Sequence, residues 1–345
     1  MRPHILENST IEVAKSHIGK GGEHIVYKTT DGYNVVKVER GIVSGWQTKG
    51  EDFVIASEEA MEREGVPRLP SVILVHPNIV VQNERDPAHP RKDKILQPDV
   101  AQMFPKIKEY DSLTLRWPQL KDPQIQAQII ELCRKAENIF KKDKFGVDPI
   151  GLAALGDNLQ GLGKTILEMI FEKMPQSPEL VREFIRMYLA AGIPGQMRNL
   201  LVAKEDKFLE GDAAKPYNNT GERIQITEKG KIILADTGVH DLRPTTHPAS
   251  IIPAIREAGI MNVLRRIPAQ QLTFPAHYLM WGSIIELLTH ANPELKDRTD
   301  LPFTHGDNPL EQAQRNIARR VSRAMVEMMI PQFEKHGTSQ TQTQV

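Results

Sequence analysis

The sequence predicts an α+β protein with a small antiparallel β lobe followed by a larger, mainly helical lobe. Short apolar segments separated by glycine turns fill residues 11–85, and apolar residues at helical spacing dominate 101–335. A polar, proline-containing stretch at 86–100 separates the two and suits a connector. The low-complexity tail at 336–345 is expected to be disordered.

The composition excludes several classes of protein. Lys plus Arg and Asp plus Glu number 44 each in 345 residues, so no net field points to a nucleic-acid or anionic-membrane partner. The single cysteine, Cys133, excludes an intramolecular disulfide, favours a reducing compartment and is expected to be a buried thiol. No apolar run approaches the ~20 residues that span a bilayer, and the N-terminal residues resemble no signal peptide. We expect a soluble cytoplasmic protein.

The β lobe begins with a strand, a glycine loop and a hairpin. Ile11–Ala14 leads into the loop Gly19–Gly22, and Ile25–Lys28 is the next strand. The pair Asp31-Gly32 is a tight-turn signal, and Tyr33–Val38 is the returning strand.

The rest of the β lobe is a helix and two more strands. Glu51–Arg63 is expected to be one short charged helix that ends before Gly65 and Pro67. Val72–Val75 and Ile79–Gln82 are then expected to form a second hairpin.

The larger lobe combines helices with a strand pair. Residues 123–142 and 178–191 carry apolar side chains at helical spacing. A strand pair, 199–202 with 231–235, interrupts the helices. The polar residues 204–222 between them predict a surface insertion, followed by an extra hairpin at 223–230.

The glycine loop has the features of a phosphate-binding loop. A backbone that approaches clustered phosphates needs residues without a Cβ, and a glycine loop between antiparallel strands can lay N–H groups over them. The segment resembles the glycine loop of kinases: Gly19 and Gly21 occupy the first two glycine positions of that pattern, Val26 the apolar position expected to cover an adenine, and His24 the position of the third glycine. The alternative is a glycine-rich hairpin without a ligand.

Lys37 follows this loop on an apolar strand. It is placed to contact α- and β-phosphates, although an isolated strand lysine is more often a solvated edge residue. A buried lysine needs a carboxylate partner, and the predicted helix offers Glu58, Glu59 and Glu62. Sequence separation favours Glu59, but the apolar pattern of the helix does not decide among them.

Asn199 and Asp236 are candidate metal ligands. Asn199 begins one apolar strand and Asp236 ends another, and an amide, a carboxylate and phosphate oxygens suit Mg²⁺. Both residue types also favour turns and helix caps, which is the alternative interpretation.

In this order, the motifs resemble those of the protein-kinase-like superfamily in its divergent bacterial forms, over about residues 11–335. The matching segments are Gly19-x-Gly21, Lys37, Asn199-Leu200-Leu201-Val202 and Asp236-Thr237-Gly238, the last standing where kinases carry Asp-Phe-Gly. The resemblance implies a two-lobed fold with ATP between the lobes. It also implies phosphate binding by Lys37 and magnesium binding by Asn199 and Asp236.

The catalytic loop departs from the family pattern. Kinases place a catalytic aspartate five residues before the asparagine, where this chain has Pro194, and a lysine three residues before it, where it has Gln196. Residues 192–199 contain no carboxylate, so the usual general base is missing and no catalytic residue is assigned. Arg198 is either a phosphate ligand or an exposed arginine.

Three functions therefore stay open. The first is an ATP- and magnesium-binding phosphotransferase with a non-standard catalytic loop, acting on a protein or small-molecule acceptor that the sequence does not name. The second is an inactive pseudokinase that serves as a nucleotide-responsive scaffold. The third is a small-molecule kinase, which would also need the missing aspartate.

Three further motifs have simpler interpretations. Gly161–Thr165 resembles the end of a P-loop, but Asn158 stands where the first glycine belongs, which indicates a loop before a helix. The segment His305–Asn308 precedes Pro309 and is typical of a helix start. Asp148–Leu152 predicts a turn without assigned chemistry.

Overall fold

In the computed structural model, the described residues are 4–20, 24–39, 50–82, 94–106, 112–115, 117–148, 197–235, 238–241, 276–309 and part of 311–330. The α+β class is confirmed. The chain divides into two compact units. The first contains the described parts of 1–112 together with 203–230, and the second contains those of 113–202, 231–248 and 255–345.

The secondary structure has the following bounds. The strands are β1 (His4–Glu7), β2 (Thr10–Lys20), β3 (His24–Thr29), β4 (Asn34–Glu39), β5 (Val72–Val75), β6 (Asn78–Gln82), β7 (Lys94–Leu96), β8 (Val100–Pro105), β9 (Ser112–Leu115), β10 (Phe145–Asp148), β11 (Met197–Ala203), β12 (Lys207–Leu209), β13 (Ile224–Thr227), β14 (Ile232–Leu234) and β15 (Gly238–Asp241). The helices are α1 (Glu51–Arg63), α2 (Trp117–Leu120), α3 (Pro123–Asp143), α4 (Lys215–Asn218) and α5 (Ala276–Ala291), and the described positions from 309 to 330 are also helical.

The sheet of the first unit closes on itself. Its strand order is β1-β5-β8-β4-β3-β2-β6-β7. Because only two residues separate β1 from β2 and β5 from β6, each pair forms one long kinked strand. The two long strands pair in parallel on both sides of the kinks, with His4 opposite Val72 and Thr10 opposite Asn78, the same separation in each case. The strands therefore form a closed five-stranded barrel.

The kinks coincide with two residues in the left-handed backbone region, Asn8 (φ 48°) and His76 (φ 47°). The amide of Asn8 donates to the carbonyl of Val75 at 2.9 Å, and the amide of Asn78 donates to the carbonyl of Ser9 at 2.9 Å. The parallel pairing is therefore continued through the kinks by backbone hydrogen bonds, so the barrel does not open there.

The kinks also change which alternate positions face the barrel interior. In a strand, residues i and i+2 share a face. Leu6 before the first kink and Ile11 after it both pack into the core, although they are an odd number of positions apart. The same holds for Leu74 and Ile79 at the second kink. The interior is filled by buried apolar side chains: Val13, Tyr27, Val36, Val38, Val72, Leu74, Ile79, Ala101 and Met103.

Residues 203–230 form part of the first unit. β12 and β13 pair with each other, and α4 between them carries Tyr217, which packs against the barrel core. The Tyr217 hydroxyl donates to Oδ1 of Asn34 at 2.7 Å, and Asn34 is only 1% exposed. The expected surface insertion is thus docked on the barrel.

The second unit is built around α3. Asp122 caps this helix by accepting a hydrogen bond from the amide of Gln124 at 2.8 Å, and Lys144 ends it in the left-handed region (φ 62°). Cys133 is fully buried on α3, as expected, and burial raises the pKa of its thiol well above the usual value. The protein interior therefore holds this cysteine as an inert thiol.

Two small sheets accompany α3. β11 lies between β9 and β14 in one, and β10 pairs with β15 in the other. α5 supports the second of these sheets through Trp281, which is fully buried, stacks on Phe303 with 6.0 Å between ring centroids and donates its indole N–H to the carbonyl of Val147 at 3.0 Å.

Several expected elements are confirmed. These are the strands around the glycine loop, the returning strand, the helix at 51–63, the helix beginning at Pro123 and the antiparallel strand pair that contains Asn199. The predicted helix at 178–191 and the tail at 336–345 lie outside the described residues. Within the described helices, no segment is long and apolar enough to cross a membrane.

Two predicted hairpins are wrong. β5 pairs with β1 and β8, while β6 pairs with β2 and β7, because the chain kinks at His76 and continues instead of reversing. Likewise, β13 pairs with β12 rather than within 223–230. The expected connector at 86–100 also differs, since β7 and the first residue of β8 belong to the large sheet.

We predict that Tyr217→Phe lowers the free energy of unfolding by about 1 kcal/mol, because it removes the hydroxyl that donates to the buried Asn34 side chain. Urea denaturation followed by circular dichroism measures the change. Tyr33 is 52% exposed, so Tyr33→Phe is the matched control and should change stability by less than about 0.5 kcal/mol. Equal effects of the two substitutions would show that the docked insert contributes no stability through this contact.

Candidate functional site

Four residues form a continuous row across the barrel. Gly19 pairs with Val26, Val26 pairs with Lys37, and Lys37 pairs with Gln102. Directly opposed residues of antiparallel strands share one face of the sheet. The neighbours of Lys37 on β4, Val36 and Val38, lie in the interior, so this row lies on the outside of the barrel. Three of the expected nucleotide-binding residues are thereby brought together.

Gly19 leaves room at one end of the row. A Cβ at this position would lie 3.9 Å from Cβ of Val26, an ordinary van der Waals contact on the same face. Gly19 therefore adds no side chain to the surface beside Val26, although a Cβ would fit there. Gly21, the second expected glycine, lies outside the described residues.

Lys37 is buried rather than a solvated edge residue. It is 9% exposed, and its ammonium lies 4.8 Å from the ring centroid of Phe104, a cation–π distance. Phe104 is two residues from Gln102 on β8 and therefore shares its face. The surroundings of this amine are thus partly apolar, which strengthens its attraction for an anion.

Glu58 is joined to the row through Gln102. It is fully buried, and Gln102 Nε2 donates to its Oε1 at 3.0 Å. The other carboxylate oxygen accepts from Ser71 Oγ at 2.9 Å and lies 2.5 Å from Nη1 of Arg68. Burial of this carboxylate is therefore compensated by a cation and two neutral donors.

Of the three candidate partners of Lys37, Glu58 is the buried one, and it contacts Arg68, Ser71 and Gln102. Glu59 is exposed on α1, whereas Glu58 lies on the buried side of the helix with Val54 and Met61. The burial of Glu58 can be predicted from the sequence, because Glu58 is four residues after Val54 and three before Met61. This is the spacing of residues on one helical face. Sequence reasoning missed Arg68 and Gln102, whose roles depend on pairing across distant elements.

In the second unit, a strand pair positions Asn199. Leu200 pairs with Leu234 and Val202 with Ile232 in the antiparallel ladder of β11 and β14. Asn199 is one position beyond the last pair, at the end where Ala235 follows β14. The backbone of Asn199 therefore lies beside the segment that leads into Asp236, which is itself outside the described residues.

The end of β14 remote from Ala235 is anchored to α3. Gln128 Oε1 accepts a hydrogen bond from the amide of Ile232 at 2.9 Å. This contact satisfies a strand-end donor and ties the ladder to a long helix. Gln128 is thus a supporting residue that no local sequence pattern indicated.

The described residues do not test the metal site. Among them, no group of three or more His, Cys, Asp and Glu side chains could hold a metal ion. The expected magnesium site has only two protein ligands, one amide and one carboxylate, so a search for three or more such side chains does not test it. Pro194 and Gln196 of the expected catalytic loop lie outside the described part of the chain.

The helix-start interpretation of His305–Asn308 is confirmed. Asn308 Oδ1 accepts from the amide of Glu311 at 3.0 Å, and Glu311 Oε2 accepts from the amide of Asp307 at 3.0 Å. These side chains satisfy the open donors of the helix start. The glycine-containing segment 161–165 lies outside the described residues.

Comparisons with known proteins give no family assignment. No protein-family model matches the sequence, and no curated protein matches it. Among solved structures, a glucosamine kinase (crystal form B) aligns with 93% of this chain at 13% identity and a TM-score of 0.26. The chain spans about 66% of the length of that kinase.

We predict that Glu58→Ala lowers the free energy of unfolding by about 3–5 kcal/mol, because it leaves Arg68 without its buried carboxylate. Glu59→Ala, one position along the same helix, is the matched control and should change it by less than about 0.5 kcal/mol. Urea denaturation measures the change, provided that the dependence of the unfolding free energy on urea concentration is the same for each variant. A larger effect at Glu59 than at Glu58 would contradict the arrangement described for α1.

Proposed function

We propose that this protein binds ATP with magnesium and acts as a kinase-like phosphotransferase. The observation that carries the proposal is the row of Gly19, Val26 and Lys37 across three adjacent strands, with Glu58 joined to it through Gln102. Strand pairing puts Gly19, Val26 and Lys37 on one face of the sheet, and Gln102 connects this face to Glu58 on α1.

The order of elements supports a nucleotide site of this kind. In protein kinases a glycine-rich loop covers the phosphates, a lysine on the third strand contacts them, and a glutamate on the following helix pairs with that lysine. Counted from β2, the strand with Lys37 is the third, and α1 with Glu58 follows it directly. The strand sequence β2-β3-β4-β8-β5 places β8 next to β4, which brings Gln102 and Phe104 beside the lysine.

The row fits the parts of a nucleotide. Val26 is half-buried and offers an apolar surface for a base, while Gly19 beside it leaves the strand backbone accessible. Lys37 holds a positive charge in a setting with little solvent, where its attraction for phosphate oxygens exceeds that of an exposed lysine.

The candidate metal ligands belong to the second unit. The β11–β14 register brings the backbone of Asn199 to the end of the ladder from which the chain continues into Asp236. An amide and a carboxylate oxygen suit Mg²⁺, which prefers hard oxygen ligands and keeps several waters. When bound, magnesium neutralises charge that develops on the phosphates.

A binding-only scaffold is the second candidate function. It is favoured by one observation: residues 192–199, where a kinase-like chain carries its general base, contain no carboxylate. A scaffold would bind Mg-ATP through the same row without transferring phosphate. Binding and turnover therefore need separate measurements.

We predict that Mg-ATP stabilises the wild-type protein against heat and that Lys37→Met abolishes the effect. A ligand at 100 times its Kd adds about 2.7 kcal/mol to the free energy of unfolding, which differential scanning fluorimetry detects. Lys94→Met, at an exposed position of the same sheet, is the control and should keep the full shift. An unmoved melting temperature of the wild type at millimolar Mg-ATP would refute the nucleotide site.

Phosphate transfer from γ-labelled ATP then separates the two functions. The enzyme hypothesis predicts labelled phosphate on the protein or in solution, and loss of this activity in Asp236→Ala. The scaffold hypothesis predicts binding with no turnover in the wild type. Acceptors of either class, protein or small molecule, can be added to the same assay.

A further inference from the structure

A buried carboxylate in the second unit holds two arginines. Glu286 lies on α5 and is 4% exposed. Its Oε1 accepts a hydrogen bond from Nε of Arg319 at 2.8 Å, and its Oε2 accepts one from Nε of Arg323 at 3.1 Å. Both arginines belong to the helical positions between 309 and 330, and their side chains are 30% and 46% exposed, respectively. The carboxylate is therefore inside the protein, while both guanidinium-bearing side chains reach solvent.

Close packing of the two helical segments fixes this arrangement. Ser322 is fully buried, and a Cβ added to Gly282 would lie 3.2 Å from its hydroxyl oxygen, so the segments approach each other closely there. Glu286 is one turn after Gly282 on α5, and Ser322 lies between Arg319 and Arg323 along the chain. The charged groups are therefore positioned before any ligand binds, which lowers the entropic cost of binding one.

The charges of this cluster do not balance. Two guanidinium groups share one carboxylate, which leaves one positive charge in excess. Glu327, one turn beyond Arg323, is exposed and forms no ion pair with it within the described part of the chain. Like charges four residues apart on a helix repel each other. A bound anion would offset this repulsion, so the cluster favours a negatively charged ligand.

Arg315, one turn before Arg319, has the opposite ratio of partners. Its side chain is wholly buried and contacts two carboxylates, those of Glu137 and Glu311. An arginine that serves the packing of this unit is thus surrounded by acids and shielded from solvent. Arg319 and Arg323 share a single acid and keep their contact with solvent, which distinguishes them from Arg315.

We propose that Arg319 and Arg323 form a binding site for a phosphomonoester dianion. Each arginine is bonded to Glu286 through Nε, and among the described residues its Nη atoms make no hydrogen bond, so they remain as donors. Guanidinium groups bind phosphate oxygens through paired hydrogen bonds. A free phosphate ester and a phosphorylated side chain carry the same group. The site belongs to the second unit and does not depend on the nucleotide site around Lys37.

Arg323→Gln in the full-length protein tests the site, with inorganic phosphate as the probe. Glu286 keeps Arg319 as its partner in this variant, so the buried carboxylate stays paired and the fold is retained. Phosphate should raise the melting temperature of the wild type saturably, at an ionic strength held constant with sodium chloride. The dissociation constant from this titration should rise about tenfold or more in Arg323→Gln, as expected for loss of a charge-assisted hydrogen bond.

Arg134→Gln is the matched control. Arg134 lies on α3 with a side-chain exposure of 42%, close to that of Arg323, but it contacts two carboxylates, Glu131 and Asp300. This variant should bind phosphate as the wild type does. Lys37→Met, which removes the amine of the nucleotide site, should still be stabilised by phosphate.

Arg323→Lys guards against a folding defect in the glutamine variant. It keeps the positive charge but lacks the planar fork of donors. Phosphate should therefore bind Arg323→Lys more tightly than Arg323→Gln and more weakly than the wild type. Equal binding by the two variants, both at the wild-type value, would contradict a role for this side chain.

Three results overturn the proposal. The first is a wild type that phosphate does not stabilise saturably. The second is equal affinity of the wild type and Arg323→Gln, which indicates an adventitious ion only. The third is loss of phosphate binding in Lys37→Met, which assigns the phosphate to the nucleotide site.

Two further titrations separate the possible sources of the phosphate group. A phosphoserine peptide that binds more tightly than free phosphoserine indicates a phosphorylated chain as the ligand, and equal affinity indicates a free phosphate ester. Either result supports the site when Arg323→Gln weakens the binding, and overturns it when Arg323→Gln binds both ligands as the wild type does.

Discussion

Closure of the barrel by two kinked parallel strands is the constraint on which the first unit depends. His4 pairs with Val72 and Thr10 pairs with Asn78, so the same two chain segments bond on both sides of their kinks. Closure separates an apolar interior from an outer face. Every second residue of β4 must then point outwards, and Lys37 does so between Val36 and Val38, which pack inside.

The elements that cover the outer face of the barrel supply its charged and polar contacts. α1 brings the buried Glu58 against Gln102 of β8, and Ser71 and Arg68, which lie between α1 and β5, contact its other carboxylate oxygen. Phe104 lies beneath the ammonium of Lys37. Burial of a carboxylate and an amine in one neighbourhood costs hydration free energy, and the contacts of Glu58 with Arg68, Ser71 and Gln102 offset part of that cost. In the second unit, Gln128 accepts a hydrogen bond from the amide of Ile232, and Trp281 donates one to the carbonyl of Val147.

Local patterns in the sequence predicted most helices and strands. They did not predict which strands pair when the partners are distant in the sequence. Alternating apolar residues and the Asp31-Gly32 turn predict β3 and β4, because neighbours in the chain determine both. The segment around His76 looks like a hairpin turn, yet its strands pair with β1 and β2, which no local signal reveals. The sequence did not separate the buried Glu58 from the exposed Glu59, because charged helices carry a weak apolar stripe. Asp148 ends a strand that pairs with Gly238, and because that partner belongs to a distant part of the chain, no local pattern predicts this ladder.

The central claim is that Lys37 lies against the phosphates of a bound nucleotide. An acyl-phosphate derivative of ATP, which transfers its acyl group to an amine beside the phosphates, tests this directly when labelled peptides are identified by mass spectrometry. The account predicts acylation of Lys37 that excess Mg-ATP suppresses, with exposed lysines such as Lys94 labelled only in a manner insensitive to ATP. Labelling spread over exposed lysines with none at Lys37, or labelling of Lys37 that Mg-ATP leaves unchanged, would contradict it.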